Sequence, residues 1–118
     1  LGLLPLLSVR PARGDGGLRP VADHVYAYAG STDDSAASGF AANAGIVVGD
    51  RAVLVVDTRM SASQARAFIQ DIRKITSKPI RYVVNTHYHF DHSFGNSEFV
   101  REGAEVIACA GASVRGCR

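Results

Sequence analysis

The chain has 118 residues, enough for one small domain and too few for two. Hydrophobic residues make up 47% and charged residues 20%, which is typical of a folded protein and excludes disorder over most of the chain. The net charge of +2 arises in the first twenty residues, and the remainder holds ten basic and ten acidic residues. This balance excludes the basic surface expected of a nucleic-acid-binding protein.

Residues 1–20 are predicted to be an N-terminal tail. The apolar run Leu1–Leu7 is far below the roughly 20 residues needed to cross a bilayer, so we expect no membrane span. The run resembles the end of a signal peptide, but no basic segment precedes it and no clear cleavage site follows. A signal-peptide remnant and a loose tail both stay open, and with them an exported (periplasmic) or a cytoplasmic location.

The first predicted strand is His24–Ala29, where apolar and polar residues alternate. His24 at its start is expected to be a surface or hydrogen-bonded residue, with metal ligation as the weaker alternative. A loop is predicted over residues 31–39. The β-branched runs Ala44–Val48 and Ala52–Val56, joined through a Gly-Asp-Arg turn, then predict a hairpin. Because both runs are nearly continuously apolar, we expect both of their faces to be covered.

A helix is predicted to begin at Ser61, where Ser61 and Gln64 fit a capping box, and to end before Pro79. Its apolar stripe comprises Ala65, Phe68, Ile69, Ile72 and Ile75. The strand Ile80–Val84 follows, then a short helix at residues 97–101 and a strand at Ala104–Cys109. Asn96 is expected to be the N-cap of the short helix. This order of elements predicts an α/β fold with right-handed crossovers.

Three of the four histidines lie between the last two predicted strands, at His87, His89 and His92, together with Asp91. Imidazole nitrogens and carboxylate oxygens are the ligands that zinc takes in sites that stay open for chemistry. In an extended segment, residues two apart point the same way, so His87, His89 and Asp91 can converge on one side. The stretch is therefore predicted to be a metal site, with the alternative that these are ordinary polar loop residues.

The pattern His-x-His-x-Asp-His resembles the signature of the metallo-β-lactamase superfamily. The resemblance implies that His87 and His89 hold one metal, and that Asp91 and His92 hold a second, with Asp91 also orienting the nucleophile. Asp57 resembles the aspartate that ends an earlier strand in the family, although Arg59 stands where the family often has glycine. We expect Asp57 to orient a metal-bound histidine, with a turn or capping role as its alternative.

The resemblance further implies an αββα sandwich, of which residues 21–110 would be the first half, a mixed sheet with helices on one face. In the family the second half supplies a further histidine, a bridging aspartate and a last histidine. Residues 111–118 contain none of these residue types and are expected to be the tail of a truncated chain. Cys109 and Cys117 are expected to be free thiols, or to pair if the chain is exported.

The function implied by the resemblance is zinc-dependent hydrolysis of a small-molecule lactam, lactone or thioester, with water activated by the metal as nucleophile. Two zinc ions are expected per complete domain, with iron as the other candidate metal. The alternatives are an iron-dependent oxygenase of the same fold and a non-catalytic remnant of the fold. Oligomeric state is not indicated by the sequence.

Overall fold

The computed structural model describes residues 17–28 and 42–108. Within these ranges six strands form one sheet. One helix lies between the fourth and fifth strands, and two lie between the fifth and sixth. The strands are β1 (Arg19–Ala22), β2 (Val25–Tyr28), β3 (Ala44–Val48), β4 (Val53–Val56), β5 (Ile80–Asn85) and β6 (Glu105–Ala108). The helices are α1 (Ala62–Ile75), α2 (Phe90–Ser93) and α3 (Asn96–Arg101). The predictions for residues 1–16, for the loop at residues 31–39 and for both cysteines fall outside the described residues.

The sheet is mixed, as predicted, and its strands lie side by side in chain order. Strands β1 to β4 are antiparallel, while β4, β5 and β6 are parallel to one another. The predicted hairpin is confirmed, because Val48 pairs with Val53 and the Gly49 N–H donates to the Ala52 carbonyl at 2.8 Å. The parallel pairs require crossovers, and α1 and α3 lie within these connections. The predicted α/β class is therefore confirmed.

The start of the sheet differs from the sequence prediction. Arg19 and Pro20 belong to β1, an edge strand that tolerates the missing N–H of proline, and not to a tail. His24 lies outside β2, in the turn that joins β1 to β2, where its φ of 61° is left-handed. The strand predicted from His24 therefore begins one residue later, at Val25, because a left-handed residue cannot continue the ladder.

Helix α1 begins where the capping pattern predicts. The Gln64 N–H donates to the Ser61 hydroxyl at 3.2 Å, and the Gln64 side chain accepts from the Met60 N–H at 3.1 Å. The reciprocal bond of the capping box thus reaches one residue further back than expected. The predicted stripe faces the sheet, with Ala65, Phe68 and Ile72 fully buried.

Helices α1 and α3 cover one face of the sheet. The Phe68 ring lies at the centre of this layer, edge-on to Tyr28 at 5.1 Å and to Phe99 at 5.6 Å between centroids. Ile46, Val53, Val55, Ile80 and Val83 complete the buried surface below it. Each of these side chains is removed from water, which makes the face the main source of stability for the described part.

The opposite face of the sheet is not covered within the described residues, contrary to the expectation of burial on both sides. Val47 is 41% exposed, Tyr82 43% and Ile107 47%. Alternate residues of a strand point to opposite faces, so the nearly continuous apolar runs place half of their side chains here.

None of the helices in the described ranges is both long and apolar enough to cross a membrane.

A polar contact ties β2 to the exposed side of α1. The Tyr28 hydroxyl donates to the Asp71 carboxylate, and Lys74 donates to the same group at 2.7 Å. Burial, followed by the hydrogen bond and negative charge of Asp71, raises the pKa of Tyr28 above its ordinary 10.0. Burial alone would raise the pKa of Asp71, but the bonds from Lys74 and Tyr28 hold it below its ordinary 3.8.

We predict that Phe68→Ala lowers the free energy of unfolding by about 3–5 kcal/mol, because it empties the centre of the covered face. Phe94→Ala is the matched control, since that ring is 64% exposed. Urea unfolding followed by circular dichroism measures both variants. Equal losses in the two variants would contradict this packing.

We also predict that Tyr28→Phe weakens the acid sensitivity of folding. A carboxyl group whose pKa is lowered by folding stabilises the protein above its unfolded pKa, here 3.8, and this stability is lost as the pH falls through the folded pKa. Without the Tyr28 hydroxyl, the melting temperature should fall less between about pH 5 and pH 2. Tyr82→Phe, on the exposed face, is the control and should show the same fall in melting temperature as the parent protein. The same fall in Tyr28→Phe would contradict a stabilising hydrogen bond from Tyr28 to Asp71.

Candidate metal site

Two loops meet at one end of the sheet. The first, residues 57–60, follows β4, and the second, residues 86–95, follows β5 and includes the short helix α2. Because β4 and β5 are parallel and Val56 pairs with Val84, both loops leave the sheet at the same edge. Open α/β sheets bind their ligands outside the carboxyl ends of the strands. We therefore expect a site where these two loops leave β4 and β5, which is called the edge of the sheet below.

Asp57 is the buried polar centre of this edge, with 3% of its surface exposed. One carboxylate oxygen accepts from the Thr86 N–H at 2.8 Å. The other oxygen lies 2.7 Å from both the Thr86 hydroxyl and the His92 Nδ1. The Asp57 backbone N–H donates to the Val84 carbonyl at 2.9 Å, so Asp57 is fixed at both its backbone and its side chain.

The hydrogen bonds of Asp57 define which ring nitrogens stay free. A carboxylate only accepts, so the Thr86 hydroxyl and the His92 Nδ1–H are its donors. The Thr86 oxygen then accepts from His87 Nδ1 at 2.9 Å, because its single proton is already donated to Asp57. When both imidazoles are neutral, this arrangement leaves the Nε2 lone pairs of His87 and His92 available, which is the tautomer required of a metal ligand.

The three neighbouring histidines form one cluster of rings. The His87 ring lies 4.0 Å from the His92 ring and 4.7 Å from the His89 ring between centroids. His92 Nε2 is 3.5 Å from an Asp91 carboxylate oxygen. All four residues predicted as ligands therefore lie at the same edge of the sheet, next to Asp57.

The cluster is not arranged as a finished coordination sphere. Over residues 17–28 and 42–108, no group of three or more His, Cys, Asp or Glu side chains is placed to hold a metal ion. The extended geometry assumed from the sequence ends with β5 at Asn85, because residues 86–88 are bends and Asp91 lies in the helical turn α2, which begins at Phe90. The donor types and the free Nε2 positions nevertheless fit zinc.

His24 lies at the other end of the sheet. Its carbonyl accepts from the Val48 N–H at 2.8 Å, next to the start of β4, whereas Asp57 follows the end of β4. It therefore does not join the other histidines, in agreement with the preferred interpretation of a hydrogen-bonded surface residue.

The two loops interlock through their backbones. The Thr58 N–H donates to the His92 carbonyl at 2.8 Å, and the Gly95 N–H donates to the Arg59 carbonyl at 3.3 Å. A Cβ at Gly95 would lie 2.1 Å from the Thr58 oxygen and 2.6 Å from the Ala65 Cβ. Only glycine allows this close approach between the loops.

Asn96 is not the N-cap that the sequence predicts. The N-cap of α3 is Gly95, and Asn96 is the first helical residue, with its side chain turned toward β5. Its amide exchanges two hydrogen bonds with the Asn85 amide, at 2.7 and 3.2 Å, and accepts from the Thr58 hydroxyl at 2.7 Å. Sequence reasoning missed Thr58, Asn85 and Thr86. The polar pair Asn-Thr directly after an apolar strand was the available signal for the last two.

Arg59 occupies the position where the family often has glycine, and its φ is 73°. This left-handed conformation costs a non-glycine residue energy, which explains why glycine suits the position. Here the Arg59 guanidinium lies over the Tyr28 ring, 4.6 Å from its centroid, and this cation–π contact offsets part of the cost.

We predict that Gly95→Ala and Gly103→Ala separate two effects of glycine. At Gly95 the new methyl group meets backbone, so the loops must move apart, with a loss of about 2 kcal/mol or more and a disturbed histidine cluster. At Gly103, whose φ is 93°, nothing lies within 4 Å, so only backbone strain of about 1 kcal/mol is expected. Thermal unfolding and NMR spectra of the histidine rings measure both effects, and unchanged ring signals in Gly95→Ala would contradict the interlocked arrangement.

Comparison with known proteins identifies the family. The sequence profile of the metallo-beta-lactamase superfamily matches residues 37–113. The linear primary-alkylsulfatase of Pseudomonas sp. (strain ATCC 19151) is 44% identical over 50 residues, which cover 42% of this chain and 10% of that protein. The chain thus spans about a tenth of the curated relative that it matches.

Solved structures of the same family are similar in fold. The inverting sec-alkylsulfatase Pisa1 from Pseudomonas sp. superimposes with a TM-score of 0.60 at 29% identity, covering 77% of this chain and 14% of that chain. The metallo-beta-lactamase FIM-1 from Pseudomonas aeruginosa, in its mono-zinc form, superimposes with a TM-score of 0.66 at 26% identity, covering 79% and 41%. The mixed sheet, the histidine loop at its edge and the match over residues 37–113 together place the chain in the metallo-beta-lactamase superfamily.

Proposed function

We propose that the protein carrying this chain is a zinc-dependent hydrolase in which His87, His89, Asp91 and His92 are metal ligands. The observation that carries the proposal is the chain of hydrogen bonds from Asp57, which leaves Nε2 free on both His87 and His92. Membership of a superfamily that includes hydrolases supports the reaction class. The mono-zinc form of the similar FIM-1 structure supports zinc over iron.

The ligands divide into two pairs in this proposal, with His87 and His89 on one zinc and Asp91 and His92 on a second. Zinc in such a site supplies a Lewis acid and a water whose pKa is lowered to about 7. With zinc bound, the Asp91 carboxylate would accept a hydrogen bond from the attacking water and so orient it. Asp57 holds the His92 ring directly and the His87 ring through Thr86, which fixes both rings before any ligand arrives.

The described residues supply only part of a complete site. A catalytic zinc normally has three protein ligands and one open position, whereas each pair here supplies two. The chain covers 14% and 41% of the two similar solved structures, so we expect the further ligands from other parts of the whole protein.

For the substrate, we propose a small molecule with a hydrolysable lactam, lactone or thioester carbonyl. A sulfate ester is the second candidate, because the chain is 44% identical over 50 residues to a linear primary-alkylsulfatase. Both reactions need an activated water and stabilisation of a developing anion, so the same edge of the sheet suits either. A panel of one β-lactam, one lactone, one thioester and one alkyl sulfate, tested on the intact protein, distinguishes them.

We predict that His87→Ala removes the zinc held by His87 and His89 and abolishes hydrolysis, because it deletes a ring whose Nε2 is held free for that metal. His24→Ala is the matched control, since this histidine lies in the β1–β2 turn at the other end of the sheet. Isothermal titration with zinc and metal analysis of the purified intact protein measure binding. Activity on the substrate panel follows in the same samples.

The outcomes separate the competing functions. Loss of one zinc ion and of activity in His87→Ala, with neither changed in His24→Ala, supports the hydrolase. Iron in the purified protein together with oxygen-dependent activity would replace it with the oxygenase. An intact protein that folds, binds no metal and is inactive on all four substrates would support the non-catalytic remnant instead.

A further inference from the structure

Residue His92 is held at two separate points. Its ring is bound by Asp57 at 2.7 Å, whereas its backbone carbonyl lies inside a cluster of donors. The Thr58 N–H donates to this carbonyl at 2.8 Å and the Asn85 amide donates to it at 3.2 Å. The Thr58 hydroxyl lies 3.2 Å from it, but its single proton is donated to Asn96 at 2.7 Å. Carbonyls in the last turn of a helix have no partner within the helix, and α2 has only four residues. The donors for this carbonyl therefore come from other elements.

The donors themselves are fixed by a third residue. Asn96 accepts from the Thr58 hydroxyl at 2.7 Å and exchanges two hydrogen bonds with Asn85. Thr58 is fully buried and Asn85 is 3% exposed, so water does not compete for these bonds. Within the described part of the chain, every buried side-chain nitrogen or oxygen has a partner. A fully satisfied buried polar network admits essentially one arrangement, which makes it rigid.

We propose that Thr58, Asn85 and Asn96 are positioning residues for His92. They fix the backbone of residue 92 so that its ring reaches Asp57 and presents Nε2 toward Asp91. None of the three is among the proposed ligands, and none touches the rings of His87 or His89 in the contacts described above. Their effect on a metal is therefore indirect and passes through the orientation of His92.

The inference rests on the proposed function only where metal affinity is concerned. The orientation of the His92 ring is a property of the protein without metal, and it is measurable in that state. Two readouts are therefore combined, namely the Nδ1–H tautomer of His92 by long-range nitrogen NMR in the metal-free intact protein, and the zinc dissociation constant of the same sample.

The central variants are Thr58→Val and Thr58→Ser. Valine keeps the branched shape of threonine and removes the hydroxyl, whereas serine keeps the hydroxyl and removes the methyl group. For Thr58→Val we expect exchange between tautomers at His92 and a zinc dissociation constant raised about tenfold, with Thr58→Ser within about twofold of the parent. Ile72→Val, in the core of α1, controls for lost stability. It should lower the melting temperature and leave both readouts unchanged.

Asn96→Ala serves if Thr58→Val does not fold, since alanine suits the first turn of α3 and removes the amide that fixes both donors. It should shift both readouts in the same direction as Thr58→Val. Unchanged His92 signals in the folded valine or alanine variant would overturn the proposal. So would equal effects of Thr58→Val and Thr58→Ser, because packing and not the hydroxyl would then be responsible.

The two proposals fail in different ways. If the parent binds no zinc but Thr58→Val still disturbs the His92 tautomer, the zinc hydrolase proposal fails and the positioning role stands. If the parent binds zinc and the valine variant matches it in both readouts, the positioning role fails and the zinc proposal stands.

Discussion

The buried hydrogen bond between Asp57 and His92 is the interaction on which the rest of the site depends. A carboxylate with 3% exposure is stable only when each of its oxygens has donors, and here Thr86 and His92 supply them. Because Asp57 directly follows β4 and its donors follow β5, these hydrogen bonds connect the ends of the two strands. Burial of the Asp57 carboxylate thereby holds the two loops together, and its hydrogen bonds fix which nitrogen of the His92 ring carries the proton.

The sheet makes this possible through the parallel pairing of β4 and β5. An antiparallel partner would have placed the end of β4 beside the beginning of β5, and Asp57 would lie far from Thr86. Helix α1 forms the crossover that reverses the chain, and its buried residues Ala65, Phe68 and Ile72 hold it on the sheet. The packing of a helix therefore determines where a carboxylate and an imidazole meet. The close approach at Gly95 then brings the second loop against the first.

Much of the fold could be predicted from the sequence because local patterns carry it. The capping pattern at Ser61, the apolar stripe of α1 and the β-branched runs of β3 and β4 each indicate one element within a few residues. The family, and with it the carboxyl–imidazole contact of Asp57, followed from the pattern of His87, His89, Asp91 and His92. The expected burial of both sheet faces is not seen within the described residues, because continuous apolar runs indicate two apolar faces but not which part of the protein covers the second one.

The rest of the site could not be predicted because its contacts join distant parts of the chain. Thr58 and Asn96 lie 38 residues apart and neither belongs to a periodic pattern, so nothing local marks their hydrogen bond. The left-handed backbone at Asp57 and Arg59 is likewise imposed by the surrounding structure, since residues other than glycine rarely prefer it. The N-cap expected at Asn96 failed for the same reason, because a buried amide partner outweighs a local preference.

Asp57 and His92 lie far apart in the sequence, which limits how the histidine motif can be transferred to another protein. His92 receives its ring contact from a residue 35 positions upstream and its main backbone contact from a residue 34 positions upstream. A short peptide copied from the histidine stretch would carry the four proposed metal ligands but none of the contacts that orient them. Transplanting the chemistry to another scaffold therefore requires both strand ends, the helix between them and the loop that follows β5, which makes residues 53–96 the smallest portable form of the motif.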